Sequence, residues 1–208
     1  MAQLICTALG TDSLLIEIAE SLIWLNPNLS QASAATVTSK TISAACLSKD
    51  ARWRYSCDGF CYLPSETPVI ARTGRAKKLA RFVGNPISEL ELWASYQPSN
   101  NCKITLTPGG FMVEQDDICL LLADENSAKL NFSEIANSFN VNSVAIAITH
   151  SKIDSFLHYA VSENRAVEIC EQVNGKHLLV MHTNTWTAKP KSNLQVHIPQ
   201  MERCVITP

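Results

Sequence analysis

Residues 118–123 read Ile-Cys-Leu-Leu-Leu-Ala, and residues 144–148 read Val-Ala-Ile-Ala-Ile. Uninterrupted apolar runs of this length are typical of strands that are buried on both faces. The connection between them is long enough for a helical crossover, with Ser133 as a candidate N-cap and with Ile135 and Phe139 one helical turn apart. The two runs are therefore predicted to be parallel neighbours in one sheet.

The residues that precede this pair predict antiparallel strands. Apolar and polar residues alternate over 89–96 and again over 102–107, which is the period of a strand with one buried face. Residues 107–110 read Thr-Pro-Gly-Gly, where proline is preset for the second turn position and glycine is free to take a positive φ at the third. This turn predicts a hairpin into a strand that begins at Phe111.

The flanking segments are assigned from the same periodicities. Apolar residues at helical spacing predict a helix within 14–25. Residues 153–173 match a helix up to Val161 and also match a hairpin, and periodicity does not separate the two alternatives. Apolar runs predict closing strands over 177–182 and 194–198.

Asp58-Gly59 is the strongest short-range hairpin signal in the chain, because strand-like residues flank it on both sides. A two-residue loop would place Cys57 and Cys61 on opposite faces, where they can neither form a disulfide nor share a metal. A three-residue loop would place the two thiols opposite each other. The two-residue loop is the prediction, since Asp-Gly suits that turn.

These elements predict an α+β fold with a mixed or mainly antiparallel sheet of six or more strands and two to four packed helices. The alternative is an α/β arrangement of three layers. The 208 residues are expected to form a single domain, 1–208, with a less regular N-terminal part, 1–86, and a sheet core, 87–208. A core of this size needs neither a disulfide nor a metal.

Charge and cysteine usage predict a cytoplasmic protein. The net charge of -2 gives no general attraction to nucleic acid or to an anionic membrane. The first apolar run carries Glu17 and Glu20 and follows no basic residue, so it is predicted to be neither a secretory signal nor a membrane span. Most of the eight cysteines lie within apolar runs, where a free thiol behaves as a small hydrophobic side chain.

Several common sites are excluded by their spacing. None of the seven glycines lies in a dinucleotide-binding or phosphate-binding loop pattern. The chain contains no Cys-x-x-Cys and no His-Glu-x-x-His motif. Cys57 and Cys61 would need two further ligands to hold zinc. No metal and no cofactor is therefore predicted.

One candidate catalytic group follows from the two buried strands. If they are parallel, Asp124 and Glu125 emerge beside His150 at the carboxyl-terminal edge of the sheet, which is where open parallel sheets bind ligands. A carboxylate next to an imidazole orients it and raises its basicity, as general-base catalysis requires. The competing interpretation is that both carboxylates are ordinary solvated loop residues. Cys57, beside a turn, is a second candidate, as a nucleophile.

A cluster of basic residues gives a candidate binding surface. Five of them lie within ten positions: Arg72, Arg75, Lys77, Lys78 and Arg81. The apolar residues between them occupy the opposite face of the helix that the segment predicts. Such a helix could meet phosphates or an acidic protein surface, and Trp53 would extend the patch. A solvated cationic face with no ligand is the competing interpretation.

The function predicted from these observations is binding of another macromolecule through a charged or aromatic surface, without chemistry, as an adaptor, an inhibitor or an immunity-like protein. The absence of a catalytic motif motivates it. A protein partner is favoured over nucleic acid. The alternatives are a small hydrolase or transferase with a His–carboxylate or Cys–His site, and a nucleic-acid-binding protein that uses residues 72–81. Whether the protein is an enzyme stays open at this level.

Overall fold

The computed structural model describes residues 3–10, 13–27, 37, 41–48, 57–124, 127, 129–148, 161–181, 186–190, 193–199 and 203–207, with residues 57 and 58 described in their backbone only. Within these residues the first sheet consists of β1 (Leu4–Ala8), β2 (Leu14–Ile18), β3 (Ser21–Leu25), β4 (Ala44–Cys46), β5 (Val69–Arg72), β6 (Ile87–Leu90) and β14 (Arg203–Ile206). The second consists of β7 (Ser95–Ser99), β8 (Cys102–Thr107), β9 (Gly110–Gln115), β10 (Ile118–Ala123), β11 (Ser143–Ala147), β12 (His177–Met181) and β13 (Gln195–His197). The helices are α1 (Ala76–Leu79), α2 (Ser133–Ser138) and α3 (Glu163–Gln172), and a 3₁₀ helix spans Cys57–Tyr62.

Over the part of the chain that is described, each sheet has seven strands. The first has the order β14-β1-β2-β3-β4-β5-β6, and the second has the order β13-β12-β11-β10-β9-β8-β7. The strands from β3 to β6 are mutually parallel, and so are the strands from β10 to β13. The other neighbours are antiparallel. Each sheet therefore combines a parallel part with an antiparallel part.

The central strands of both sheets are buried on both faces. On β2, Ile16 packs in the core between the sheets, while its neighbour Leu15 packs in a separate core on the outer face. On β10, Leu120 lies in the core between the sheets, and Leu121 lies in an outer core with Ile135 of α2. Successive residues of a strand point to opposite faces, so uniformly apolar strands supply two cores at once. The result is two stacked sheets with helices and loops on both outer faces.

The parallel strands of the two sheets end at the same edge of this sandwich. Ser21, at the start of β3, and Ser99, at the end of β7, hydrogen-bond across the sheets with their hydroxyl oxygens 2.8 Å apart. Because β7 runs opposite to β10, Ser99 lies level with the start of β10. The chain also crosses directly from Leu90, at the end of β6, to Ser95, at the start of β7. Both observations place the ends of β3 to β6 and of β10 to β12 at one edge, which we call the carboxyl edge.

The predicted pairing at the centre of the second sheet is confirmed. β10 and β11 are parallel neighbours, with Leu120 opposite Ser143 and Ala123 opposite Ile146. Helix α2 lies in the connection between them, as predicted, but its N-cap is Phe132, and the predicted cap Ser133 is its first residue. The turn at 107–110 joins β8 to β9 in an antiparallel hairpin, which is also as predicted.

The predicted fold class is wrong. Over the described residues the chain forms two stacked sheets with few and short helices. The prediction was one mixed or mainly antiparallel sheet with helices packed over it, and the three-layer α/β alternative also has one sheet too few. Periodicity assigns each strand residue to a face but does not say which element covers that face. Strand β14, near the end of the chain, pairs with β1 near its beginning, and no local pattern encodes that pairing.

Residues 14–25 form a hairpin and not the predicted helix. β2 and β3 are antiparallel, with Ile16 opposite Ile23. Ala19 has a φ of 47° and lies in the tight turn between them, where a left-handed residue is needed. The apolar residues fit both periods, and the strands are preferred because both faces of the hairpin are buried in separate cores.

Two further predictions in the first half of the chain are wrong. The strand predicted over 89–96 is interrupted, because β6 ends at Leu90 in the first sheet and β7 begins at Ser95 in the second. Trp93, with a φ of 70°, lies in this crossing. The hairpin predicted at Asp58-Gly59 is a 3₁₀ helix, so neither of its two loop lengths applies.

The described helices differ in length from those predicted. The basic helix comprises only 76–79 of the predicted 72–81. Within 153–173, residues 163–172 form α3, a helix that neither alternative placed there, so the hairpin alternative is wrong for this part. Residues 153–160 lie outside the described residues. Among the helices that are described, none is both long enough and apolar enough to cross a membrane.

Candidate active site at the carboxyl edge

Asp124 is the predicted catalytic residue whose side chain falls within the described part of the chain. It directly follows β10 at the carboxyl edge and is 6% exposed. Its N–H donates to the Gly109 carbonyl oxygen at 2.9 Å. The Ser127 N–H donates to the Asp124 carbonyl oxygen at 3.1 Å, and the Ser127 hydroxyl donates to the Gly109 carbonyl oxygen at 2.8 Å. Burial of a carboxylate is costly unless it is compensated, so Asp124 is no ordinary solvated loop residue.

Two histidines follow the neighbouring parallel strands in the sequence. β12 is parallel to β11 and ends at Met181, which His182 directly follows. His150 comes two positions after Ile148, which extends β11. Neighbouring strands lie about 4.8 Å apart, so the ends of β10, β11 and β12 form one row. Both imidazoles and Glu125 lie outside the described residues, and the structure therefore establishes the row of strand ends and the position of Asp124 within it.

The remaining predicted residues belong to the first half of the chain. Cys57 begins the 3₁₀ helix, but its side chain is outside the described residues, and Trp53 is outside them entirely. The five basic residues lie at the end of β5 and in and around α1: Arg72, Arg75, Lys77, Lys78 and Arg81. They are therefore on the first sheet, whereas Asp124 is on the second.

A buried carboxylate on α3, Glu163, was missed in the sequence. Its Oε2 atom accepts three hydrogen bonds, from the N–H and hydroxyl groups of Thr187 at 3.0 and 2.7 Å and from the N–H of Ala188 at 2.7 Å. Thr187 and Ala188 belong to the segment that follows β12, so Glu163 fixes that segment to the first turn of α3. Ser162 is a capping residue that signals the start of a helix in the sequence. Nothing in the local sequence shows that the next residue, Glu163, hydrogen-bonds to residues 187–188.

Arg165, also in the first turn of α3, fixes the segment that follows β10. Its Nη2 atom donates to the carbonyl oxygens of Leu130 at 2.6 Å and of Ser127 at 3.4 Å. Its Nη1 atom lies 3.1 Å from the Glu168 carboxylate. Since Ser127 is itself bonded to Asp124, the start of α3 supports the segments that leave β10 and β12 on either side of β11.

On the first sheet, a buried asparagine joins the ends of β3 and β4. Asn26 is 5% exposed and has a φ of 47°. Its Nδ2 atom donates to the Ser48 hydroxyl at 2.8 Å, and its Oδ1 atom accepts the Ser48 N–H at 3.0 Å. The Asn26 N–H donates to the Cys46 carbonyl oxygen at 2.8 Å. This pair rigidifies the carboxyl edge without adding a titratable group.

The described residues do not fit a metal centre. No three His, Cys, Asp or Glu side chains among them form a group that could hold an ion. The sequence has five histidines, and all of them occur from residue 150 onward: His150, His158, His177, His182 and His197. Residues 4–90, which supply six strands of the first sheet, therefore contain no histidine. Imidazole and thiolate are common ligands of zinc in proteins.

Burial makes most of the described thiols poor nucleophiles. It raises the pKa of Cys119 and of Cys170 to about 12, with a further contribution from neighbouring carboxylates. The pKa values of Cys6 and Cys46 are raised further still, again mainly by burial. Such thiols are protonated at neutral pH, and the thiolate is the reactive form. Cys61, in the 3₁₀ helix, is exposed.

A pair of histidines lies away from the carboxyl edge. His177 begins β12, and His197 lies opposite Leu179 in the adjacent strand β13. His177 Nδ1 and His197 Nε2 are 3.2 Å apart, so one ring donates to the other. Burial lowers the pKa of both imidazoles, and the charges of His197 and Lys176 lower that of His177 further.

This histidine pair predicts a loss of stability in acid. The ordinary pKa of an imidazole is 6.5, and the pKa of both rings is below that value in the folded protein. As the pH falls below 6.5 the unfolded chain therefore binds protons first, which lowers the free energy of unfolding. The contribution of the two neutral imidazoles to the free energy of unfolding is fully present above the pKa that they have in the unfolded chain. It is lost progressively as the pH falls through the lower pKa values that they have in the folded protein.

We expect the thermal unfolding midpoint to fall between about pH 7.5 and about pH 5, and to fall less in His197→Gln. The glutamine removes one imidazole and keeps a side chain that can hydrogen-bond to His177. Differential scanning fluorimetry of both proteins at both pH values measures the difference. If the unfolding midpoints of the two proteins changed equally with pH, the loss of stability in acid could not be attributed to the pair of His177 and His197.

Several solved structures share the architecture of this chain. No protein-family model matches the chain, and no curated protein matches it. Igni18, a metallo hydrolase from Ignicoccus hospitalis KIN4/I, matches with a TM-score of 0.75 at 12% identity, over 99% of this chain and 99% of that one. The metallo-β-lactamase fold protein YhfI from Bacillus subtilis matches with a TM-score of 0.66 at 9% identity, over 90% and 89%. The short form of human tRNase Z matches with a TM-score of 0.65 at 10% identity, over 100% and 99%.

These similarities correct the predicted function. Igni18 is a hydrolase and shares the architecture over nearly the whole chain, so the prediction of an adaptor-like binding protein without chemistry is wrong. The description as a protein of protein–protein interactions is wrong with it, because proteins that share the fold are described as metal-dependent hydrolases. At identities of 9 to 12% the likeness is one of fold. Two stacked mixed sheets, joined at a common carboxyl edge, give this chain the metallo-β-lactamase fold.

Proposed function

We propose that this protein is a hydrolase whose reaction centre lies at the carboxyl edge of β10, β11 and β12. The observation that carries the proposal is the buried Asp124 at the end of β10, beside a parallel strand that leads to His150. His182, which follows β12 in the sequence, would bring a second imidazole to the same row of strand ends. Igni18, which has the same fold, is a hydrolase.

In the proposed reaction His150 acts as the general base. Its neutral ring takes a proton from a water molecule while the water oxygen forms a bond to the electrophilic carbon or phosphorus of an ester. The imidazolium that results carries a positive charge, which the Asp124 carboxylate stabilises. The imidazolium then gives its proton to the leaving oxygen as the ester bond breaks, so the ring ends neutral. Glu125 is the alternative partner for the imidazole.

The chemistry proposed uses only acid–base groups of this chain. Igni18 is a metallo hydrolase, whereas the described side chains of this protein do not form a group that could hold an ion. No step is therefore assigned to a metal. The assays include added metal ions, so that metal-dependent turnover would be detected directly.

We further propose that the protein works in the cytoplasm. Cys6, Cys46, Cys102, Cys119 and Cys170 are buried and form no disulfide. A reducing compartment keeps thiols in this state, whereas secreted proteins commonly oxidise them.

Hydrolysis of chromogenic esters tests the proposed reaction. The purified protein is assayed with p-nitrophenyl acetate, p-nitrophenyl phosphate and bis(p-nitrophenyl) phosphate, each with a chelator and with added Zn²⁺ or Mn²⁺. His150→Asn is expected to lower kcat/KM about hundredfold or more, as the loss of a general base does. His197→Gln, in β13, is the matched control and is expected to keep the wild-type value. Rates equal to those without protein in every condition, or full activity of His150→Asn, would overturn the proposal.

A further inference from the structure

The first and the last of the described strands place two cysteines side by side. β1 and β14 are antiparallel neighbours, and Cys6 lies directly opposite Cys204 in their register. Both are free thiols in this structure. The cysteines of other described strands, Cys46, Cys102 and Cys119, lie opposite residues of other types. Among the described strand pairings, β1 with β14 is therefore the one that sets one thiol against another.

The register of Cys6 and Cys204 is compatible with a disulfide. Directly opposite residues of antiparallel strands have Cα atoms about 4.5 or 5.5 Å apart, and disulfides join residues whose Cα atoms are about 4.4 to 6.8 Å apart. Their side chains also project from the same face of the sheet. Cys6 lies in the core between the sheets, and Cys204 packs against that core. The two strands therefore need no change of register for the bond to form.

The position of β14 gives an oxidant access to the pair. This strand has four residues, lies at the edge of the first sheet and pairs with β1 alone among the described strands. Cys204 is partly exposed, whereas Cys6 is fully buried. The Arg203 guanidinium lies 3.6 Å from the Glu17 carboxylate, but Arg203 is exposed, and exposed ion pairs stabilise little. Short edge strands of this kind open locally, and opening of β14 exposes both thiols.

We propose that Cys6 and Cys204 form a reversible disulfide that fastens β14 to β1 when the protein meets a low-molecular-weight disulfide of the glutathione class. The Cys204 thiolate attacks one sulfur of the small disulfide and releases the first small thiolate, which leaves a mixed disulfide on the protein. The Cys6 thiolate then attacks the Cys204 sulfur and releases the second small thiolate. The two protein thiols are oxidised, the small disulfide is reduced to two thiols, and these take up the two protons.

Burial and compartment keep the pair reduced under ordinary conditions. Burial raises the pKa of both thiols. The thiolate is the form that attacks a disulfide, so exchange is slow while β14 is paired and proceeds from the opened strand. A reducing cytoplasm holds the pair as two thiols, and a rise in the ratio of small disulfide to small thiol favours the bond. The pair is therefore a site of oxidative modification, whether or not the protein is a hydrolase.

The bond is expected to stabilise the fold. It closes a loop that runs from β1 to β14 and so contains nearly all of the residues. The conformational entropy that a cross-link removes from the unfolded chain grows with the length of the closed loop. The bond also keeps β14 from separating from β1. Oxidation is therefore expected to raise the thermal unfolding midpoint by about 5 °C or more, and dithiothreitol is expected to reverse the rise.

Mass spectrometry of the oxidised protein identifies the bond. The folded wild-type protein is incubated with glutathione disulfide, its remaining thiols are blocked with N-ethylmaleimide in denaturant, and it is digested with trypsin without reduction. Residues 1–40 form a tryptic peptide whose only cysteine is Cys6, and residues 204–208 form one whose only cysteine is Cys204. We expect these two peptides, linked to each other, to be the main disulfide product and to be absent after treatment with dithiothreitol.

Differential scanning fluorimetry of two variants tests the origin of the stabilisation. Cys204→Ser is expected to abolish the rise in the unfolding midpoint on oxidation. Its reduced form is expected to unfold within about 3 °C of the reduced wild type, because the position is only partly buried. Cys61→Ser is the matched control, since it removes an exposed thiol of the 3₁₀ helix. It is expected to keep the linked peptides and the full rise.

Three results would overturn the proposal. The first is a glutathione adduct on Cys204 while Cys6 stays free, or both thiols staying free. The second is linkage of Cys6 to other cysteines in amounts equal to its linkage to Cys204. The third is an unchanged unfolding midpoint in protein that carries the linked peptides, because a bond that fastens β14 to β1 must oppose unfolding.

Discussion

Asp124→Asn is expected to lower kcat/KM for hydrolysis about hundredfold or more and to leave the fold intact. The substitution keeps the shape of the side chain but removes the negative charge that, in the proposed reaction, stabilises the imidazolium in the transition state. The position itself is held by backbone bonds to Gly109 and Ser127, which an asparagine retains. The loss is therefore expected in catalysis and not in folding. Steady-state kinetics on the best chromogenic ester, with a thermal unfolding midpoint for each protein, measures both quantities.

A carboxylate at the opposite edge gives the control for this experiment. Asp117, in the turn before β10, is exposed at the amino-terminal end of the strand, so Asp117→Asn is expected to keep wild-type kcat/KM. Asp124→Glu restores the charge one methylene further out and is expected to recover part of the activity. Wild-type activity in Asp124→Asn would exclude this carboxylate from the reaction centre. Unfolding of Asp124→Asn at a much lower temperature would instead assign it a structural role.

Gly110→Ala is expected to lower the free energy of unfolding by about 3 kcal/mol, through backbone strain and overpacking together. Gly110 has a φ of 131°, a region that L side chains rarely occupy. An added Cβ would lie 2.0 Å from the Leu122 carbonyl oxygen and 3.1 Å from the Asp124 nitrogen. Both contacts are to the backbone of β10 and its end, so no rotation of a side chain can relieve them.

Urea denaturation followed by tryptophan fluorescence measures this effect. Gly84→Ala is the matched control, because an added Cβ there meets nothing within 4 Å and no positive φ is needed. It is expected to change the free energy of unfolding by less than about 1 kcal/mol. Equal denaturation midpoints for the two variants would show that β9 and β10 can separate at this point. Because the strain falls beside Asp124, residual hydrolysis by Gly110→Ala is expected to fall as well.

The second sheet could be predicted in outline because its signals are local. A six-residue apolar run such as 118–123 is buried on both faces wherever it lies, and the length of the connection to 144–148 favours a parallel crossover. The turn at 107–110 has residues suited to its backbone conformation. The position of Asp124 at the end of β10 follows from these facts alone, and the structure agrees with it.

The first sheet and the supports of the site could not be predicted in this way. Residues 14–25 fit a helix and a hairpin equally well, and the hairpin is decided by the cores that cover its two faces. Glu163 is an ordinary surface residue by its type, and only the fold brings it to Thr187 and Ala188. The same holds for Arg165 and its carbonyl partners.

By itself the sequence determined the burial of β10 and β11, their parallel pairing, and the carboxylate at the end of β10. Those features depend on contacts within a few tens of residues, which hydrophobic period and turn chemistry encode. Only the tertiary structure decided that a second sheet is stacked on the first, that both end at one edge, and that α3 supports the site. These features arise because an apolar face must be covered by some partner, and the period of a strand specifies the face but leaves the partner to the packing of the whole chain.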